Sequence, residues 1–230
     1  MKHITLILTF LLTTFLCFGQ EKFDLLQILN RPPCSEHLEP AEDFNLYEGY
    51  LKEYYKSRFT LLYSGFSEKP YARYSAMPSF SAEYAFSVEK INGKNYIVSN
   101  KFSKKFGCTI EDNEDGNMVN NSVKITTTTT KINNDLYLII GELFELLANQ
   151  TKVCKNSRFG LDGETYYFAT TDKNGEIKIG TTWSPDKKSL LERLVKICDK
   201  LYLVGVGKII NQRKITKEIT ILINDFQKNN

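Results

Sequence analysis

Apolar and polar positions alternate most clearly between Ala82 and Phe102. Ala82, Tyr84, Phe86 and Val88 are separated by polar or small residues, Asn92-Gly93 follows, and Tyr96 and Val98 begin a second run reaching Phe102. Asn-Gly between two such runs predicts a β-hairpin, because a two-residue turn needs positive φ at both positions. A second hairpin is predicted at Thr165–Thr171 and Glu176–Thr182, joined by Asp172-Lys173-Asn174-Gly175. Between the two, Val123 to Ile132 reads as a strand, since its five consecutive threonines (Thr126 to Thr130) are β-branched.

Helical spacing takes over elsewhere. Leu136, Ile139, Ile140, Leu143, Phe144 and Leu147 predict a helix to about Gln150, capped by Asn133-Asn134-Asp135. Ser184-Pro185-Asp186 carries the grammar of a helix start, and Leu191, Leu194, Val195, Cys198 and Leu201 give that helix an apolar stripe up to Gly205. Phe44, Tyr47, Leu51 and Tyr54 predict a helix from about Pro40 to Lys56, and Phe23, Leu26 and Leu29 a short one stopped by Arg31-Pro32-Pro33. Phe59, Leu61 and Tyr63 alternate as a strand would, with helix continuation the alternative. Ser64 to Ser79 reads as a loop, and Ile215, Ile219, Leu222 and Phe226 as a final helix, its β-branched residues leaving a strand open. The expectation is one α+β domain over residues 20–230, an antiparallel sheet from two β-hairpins covered by three to five helices.

The N-terminus departs from this pattern. Met1-Lys2-His3, the apolar run Ile4–Phe18 and Gly19 predict a signal peptide over residues 1–19, cut before Gln20. The run is shorter than the roughly 20 residues a spanning helix needs. The mature chain is therefore expected to be periplasmic or secreted, without a membrane span. Lipid anchoring through Cys17 is the minor alternative, because bulky Leu16 occupies the position where a small residue is needed. Export makes Cys34, Cys108, Cys154 and Cys198 disulfide candidates. Neighbour order favours Cys34 with Cys108 and Cys154 with Cys198; on its helix stripe, Cys198 reads equally as a buried free thiol.

Composition removes several functions. A formal net charge of +3 over 230 residues, with Lys and Arg scattered among Asp and Glu, argues against a nucleic-acid partner. Once the leader is cut, His37 is the sole histidine, so any Ser-His, Cys-His or multi-histidine metal chemistry must pass through it. Cys34-Ser35-Glu36-His37 offers two ligands at Cys-x-x-His spacing but no matching second pair. Glu111-Asp112-Asn113-Glu114-Asp115-Gly116 touches the calcium-loop pattern, yet has Glu first and Ser122 where the closing carboxylate belongs. Gly205-Val206-Gly207-Lys208 fails as a phosphate loop, with Tyr202 and Ile209 at defining positions. No cofactor or metal is expected, and no catalytic residue is assigned.

Seven tyrosines (Tyr47, Tyr50, Tyr54, Tyr55, Tyr63, Tyr71 and Tyr74) offer a sugar- or peptide-binding face. Helical spacing assigns most of them to packing, which leaves Tyr71 and Tyr74, in the expected loop, as ligand-surface candidates. The resulting expectation is an exported non-enzymatic binding protein for an extracellular ligand or protein partner, an immunity or inhibitor module being one subtype. The alternative is a hydrolase working through carboxylates such as Glu142 or Asp162.

Overall fold

A computed structural model describes residues 34, 36–107, 123–154, 162–208 and 211–229. The expected signal peptide with Cys17, the short helix near Leu26, Cys108 and the acidic loop 111–121 lie outside the described residues.

Seven strands form one antiparallel sheet: β1 (Glu39–Pro40), β2 (Ala72–Pro78), β3 (Tyr84–Ile91), β4 (Lys94–Phe102), β5 (Ile125–Lys131), β6 (Glu164–Thr171) and β7 (Ile177–Trp183), in the order β1-β7-β6-β2-β3-β4-β5. A 3₁₀ turn, Phe44–Leu46, precedes four helices: α1 (Gly49–Leu62), α2 (Asn134–Gln150), α3 (Leu190–Gly205) and α4 (Gln212–Lys228). The architecture is thus mixed α+β. β2 to β5 run as a meander; α2 then carries the chain back over the sheet, and the β6–β7 hairpin pairs with the free side of β2. Among the described residues, no helix is long and apolar enough to cross a membrane.

The alternation seen in the sequence fixes the two faces. Ala72, Tyr74 and Ala76 of β2, Phe86 and Val88 of β3, Ile97 of β4 and Tyr166 and Phe168 of β6 point to one side. There α2 and α3 cover them, and α4 lies against both helices. Asn92 and Gly93 have φ of 49° and 74°, as the first hairpin requires. α3 approaches β4 closely at Gly205, where a Cβ would collide with Ser99 Oγ and stand 2.7 Å from Ile97 Cγ2.

The opposite face is covered only in part. α1 packs over its β3–β4 side, burying Leu62 with Met77, Ala85, Phe102, Phe106 and Val123. The layer beneath α1 is unusually polar. Glu83, with no exposed surface, accepts from Arg58 Nη2 at 2.6 Å and from the Phe106 amide at 2.9 Å. Buried Asn100 donates to the Leu62 and Ser64 carbonyls at 2.8 and 2.9 Å, satisfying orphan acceptors at the end of α1.

Several local expectations are corrected. Pro40 does not begin a helix: it pairs with Gly180 at the sheet edge, where its missing N–H costs nothing, and α1 starts nine residues later at Gly49. Phe59, Leu61 and Tyr63 continue α1 instead of forming a strand. The expected loop from Ser64 to Ser79 contains β2, the strand at the centre of the sheet. Its alternation of Ala72, Tyr74 and Ala76 with Arg73 and Ser75 is short and lies between Pro70 and Pro78, in a stretch rich in Ser, Gly and Pro that reads as a loop. Ser184 is not the cap of α3; its hydroxyl accepts from the Glu164 amide across the sheet, and Ser189 caps the helix through the Glu192 amide. The C-terminal segment is helical, with Ile215, Ile219, Leu222, Ile223 and Phe226 buried.

The disulfide joins Cys34 to Cys154, Cα atoms 6.2 Å apart, so neighbour order misassigns the pairing. The Lys152 amide donates to the Leu38 carbonyl at 3.1 Å, bringing the segment before β1 to the end of α2. Cys198 faces the core as a free thiol with no exposed surface, its pKa pushed up by burial.

Candidate functional site

Tyr71 and Tyr74, the two ligand-surface candidates, have separate fates. Tyr74 stands in mid-β2 between Phe86 and Phe168 with no exposed surface, so it presents nothing to solvent. Its hydroxyl donates to Asp199 Oδ1 at 2.9 Å, beside a second bond from Tyr84 at 2.7 Å. Burial raises the Asp199 pKa above the usual carboxylate range, against those two hydrogen bonds. Tyr71 is half-buried and lies flat on Tyr137, centroids 4.3 Å apart, with burial pushing its phenol up to about 12. A Cβ on Gly141 would overlap its ring, so that glycine makes room for it on α2.

Tyr71 also lines an open groove of about 600 Å³ with Glu142, Glu145, Asp172 and Lys173. Two of these acids are already engaged. Glu145 pairs with Lys173 at 3.2 Å. Asp172 accepts from the Asn174 and Glu176 amides, both at 2.9 Å, bonds that hold its pKa below the usual range. Of the two alternative candidate carboxylates, Glu142 lines this groove beside Glu145, whereas Asp162 is exposed and does not line it.

The better-built concavity is on the other face. Because α1 and the 3₁₀ turn cover only part of the sheet, a pocket of about 530 Å³ remains between them and β6–β7. Its walls are rings. Phe44 stacks on Tyr55 at 4.3 Å and on Phe59 at 5.3 Å, and Tyr167 stands edge-on to Phe59 at 5.5 Å. Tyr63 adjoins Phe59 at 5.4 Å, and Ile177 and Ile179 close the β7 side. These five aromatic residues are each part-buried and line the pocket, which suits a flat apolar ligand.

Arg73 supplies the polar element, projecting from β2 to this face. Its residue is 8% exposed, and its guanidinium carbon lies 4.7 Å from the Tyr63 centroid and 5.3 Å from that of Phe66. Nη2 donates to the Ser67 carbonyl, while Nε is buried without a hydrogen-bond partner. Among the described residues Arg73 makes no ion pair, in contrast to Arg58 with Glu83. The nearest acid, Glu89, spends its carboxylate on the amide and hydroxyl of Ser67. Burial lowers the Arg73 pKa, with Tyr63 and Glu89 pulling the other way. A desolvated cation lining an aromatic pocket is arranged to meet an anion.

Around the rim, Lys52 and Lys56 face Glu42 and Asp43. Tyr47 donates to Glu42, and that bond holds its phenol up at about 12. Burial also pushes the Tyr63 and Tyr167 phenols upward, so both rings are neutral walls at physiological pH. Tyr63 is fixed by a 2.8 Å bond between its hydroxyl and Ser75 Oγ.

Sequence reasoning included Tyr55 and Tyr63 among its tyrosines but missed Phe44, Phe59, Arg73 and Tyr167. Periodicity shows that a ring lies on a helix face, not that the facing sheet stops short of it. For Arg73 the signal was a cation inside Pro-Tyr-Ala-Arg-Tyr-Ser-Ala, legible only if that segment is first recognised as a strand. Comparison with protein-family models, curated proteins and solved structures finds no match to this chain.

Proposed function

We propose that this chain is an exported, non-enzymatic binding protein whose ligand site is the aromatic pocket under α1, and that the ligand is a small aromatic or otherwise flat carboxylate. The observation that carries this reading is Arg73: a nearly buried guanidinium that lines the ring-walled cavity and, among the described residues, makes no ion pair. Left uncompensated, such a cation weakens the fold, and a ligand carboxylate in the cavity would supply the missing counter-charge. The volume suits a small molecule, since ligand pockets run from about 300 to 1,000 Å³. Export accords with a disulfide-linked chain and with the leader-like first nineteen residues.

Calorimetry with benzoate and with its neutral isostere benzamide tests the reading. Benzoate is expected to bind at least about tenfold more tightly, a difference of about 1.4 kcal/mol, and to raise the melting temperature. Arg73→Met is expected to erase that preference while staying within about 1 kcal/mol of the parent stability, because lost ring contacts are offset by removal of an unpaired buried charge. Equal affinity for the two probes, or a benzoate preference that survives in R73M, would defeat the assignment.

A further inference from the structure

The residues at Cys34, His37 and Cys154 form a second site, remote in chemistry from the aromatic pocket. Their Sγ, imidazole nitrogen and Sγ all lie within 4.8 Å of one another, and all three residues are partly exposed. Two ligands come from one short segment and the third from beyond the end of α2, 120 residues later in the chain. His37 Nδ1–H donates to the Leu38 carbonyl at 3.1 Å. In the neutral ring this leaves Nε2 as the bare lone pair, and Nε2 lies 3.5 Å from Cys34 Sγ. Anchoring one imidazole nitrogen on a backbone carbonyl so that the other faces outward is how metal-binding histidines are oriented. The spacing also fits: tetrahedral zinc, with Zn–S about 2.3 Å and Zn–N about 2.0–2.1 Å, separates sulfur from nitrogen by about 3.6 Å.

We propose that Cys34, His37 and Cys154 are a redox-gated site for one soft divalent metal ion, closed as the disulfide and open as the dithiol. In the opening step a dithiol reductant gives two electrons to the Cys34–Cys154 bond and leaves as its own disulfide, its two protons passing to the cysteine sulfurs. A Zn²⁺ ion then takes both thiolates and Nε2, releases those two protons to solvent and keeps a fourth position for water. Re-oxidation of the sulfurs by a disulfide donor expels the metal.

Cobalt(II) and zinc(II) titrations of the full chain test the site, with a phosphine as reductant (it leaves as the oxide, its oxygen drawn from water). The oxidised chain is expected to bind neither ion at the site. The reduced chain is expected to take up one Co²⁺ with thiolate charge-transfer absorption, to exchange it for Zn²⁺ and to gain melting temperature on doing so. His37→Gln, at a partly exposed position, should weaken affinity at least about tenfold, and Cys154→Ser should remove most of the charge-transfer intensity. No metal uptake by the reduced chain overturns the proposal. So does unchanged affinity in H37Q, or a disulfide that the reductant opens only when the chain unfolds. None of these outcomes bears on benzoate binding, so the two sites stand or fall separately.

Discussion

Glu83 is fully buried and Asp199 half-buried, and each is held by a different set of partners. Glu83 pairs with Arg58 at 2.6 Å and accepts from the Phe106 amide, so removing one partner breaks a buried ion pair. Arg58→Met is expected to cost about 3 kcal/mol or more in urea unfolding, and adding Glu83→Gln should recover at least half of it. For Asp199 the folded pKa is raised, so the native state binds the proton more tightly than the unfolded chain does. Its contribution to stability is therefore fully present below the unfolded pKa and is lost as pH rises through the folded one. Both tyrosine hydroxyls donate to Oδ1, which an amide retains, so Asp199→Asn should keep the network and lack that pH-dependent loss. Urea titrations from pH 4 to 7 on both proteins read the difference; parallel curves would contradict it. Residue types alone fixed the polarity of these positions, while the partners that hold each carboxyl come from segments 23 to 125 residues away.

At the scale of elements, the hairpins and the cap of α2 were legible because their determinants are local, whereas the cap of α3 lies five residues beyond the expected Ser184. Asn92-Gly93, the Asn133 side chain on the Leu136 amide and the stripe of α3 each lie within one turn of what they control. β2 and the start of α1 were not legible. The five-residue alternation of β2 is outweighed by its Ser-, Gly- and Pro-rich surroundings, and a proline at the sheet edge resembles one opening a helix. Gly205 belongs to the second class: its identity reads as a helix stop, yet it also lets α3 touch β4. Gly205→Ala should cost about 2–3 kcal/mol, measured by chemical denaturation, because its methyl must displace Ser99 or lift the helix. A loss under 1 kcal/mol would mean that α3 can shift without consequence.

Over the whole molecule, the Cys34–Cys154 link spans a separation of 120 residues and so restrains most of the described chain. In the chain-entropy view, closing a loop of that size is worth about 4–5 kcal/mol. Cys34→Ser is expected to lower stability by about 2–5 kcal/mol and the melting temperature with it, and a change below 1 kcal/mol would show that the two segments are held by their hydrogen bonds alone. The same closure places His37 beside two sulfurs, a cluster that Cys-x-x-His spacing announced only by half.

Taken by itself, the sequence determined the α+β class, the two hairpins, the amphipathic helices, a leader-like N-terminus and an even set of four cysteines behind it. These follow from periodicity and composition, which act over a few residues. Tertiary structure alone decided the position of β2 at the centre of the sheet, the choice of Cys154 as the partner of Cys34 and the trough left where α1 stops short of β7. It also decided that Arg73 lies at that trough with no ion pair among the described residues. Each of these is a pairing between distant segments, settled by which surfaces could be buried together and carrying no local mark in the chain.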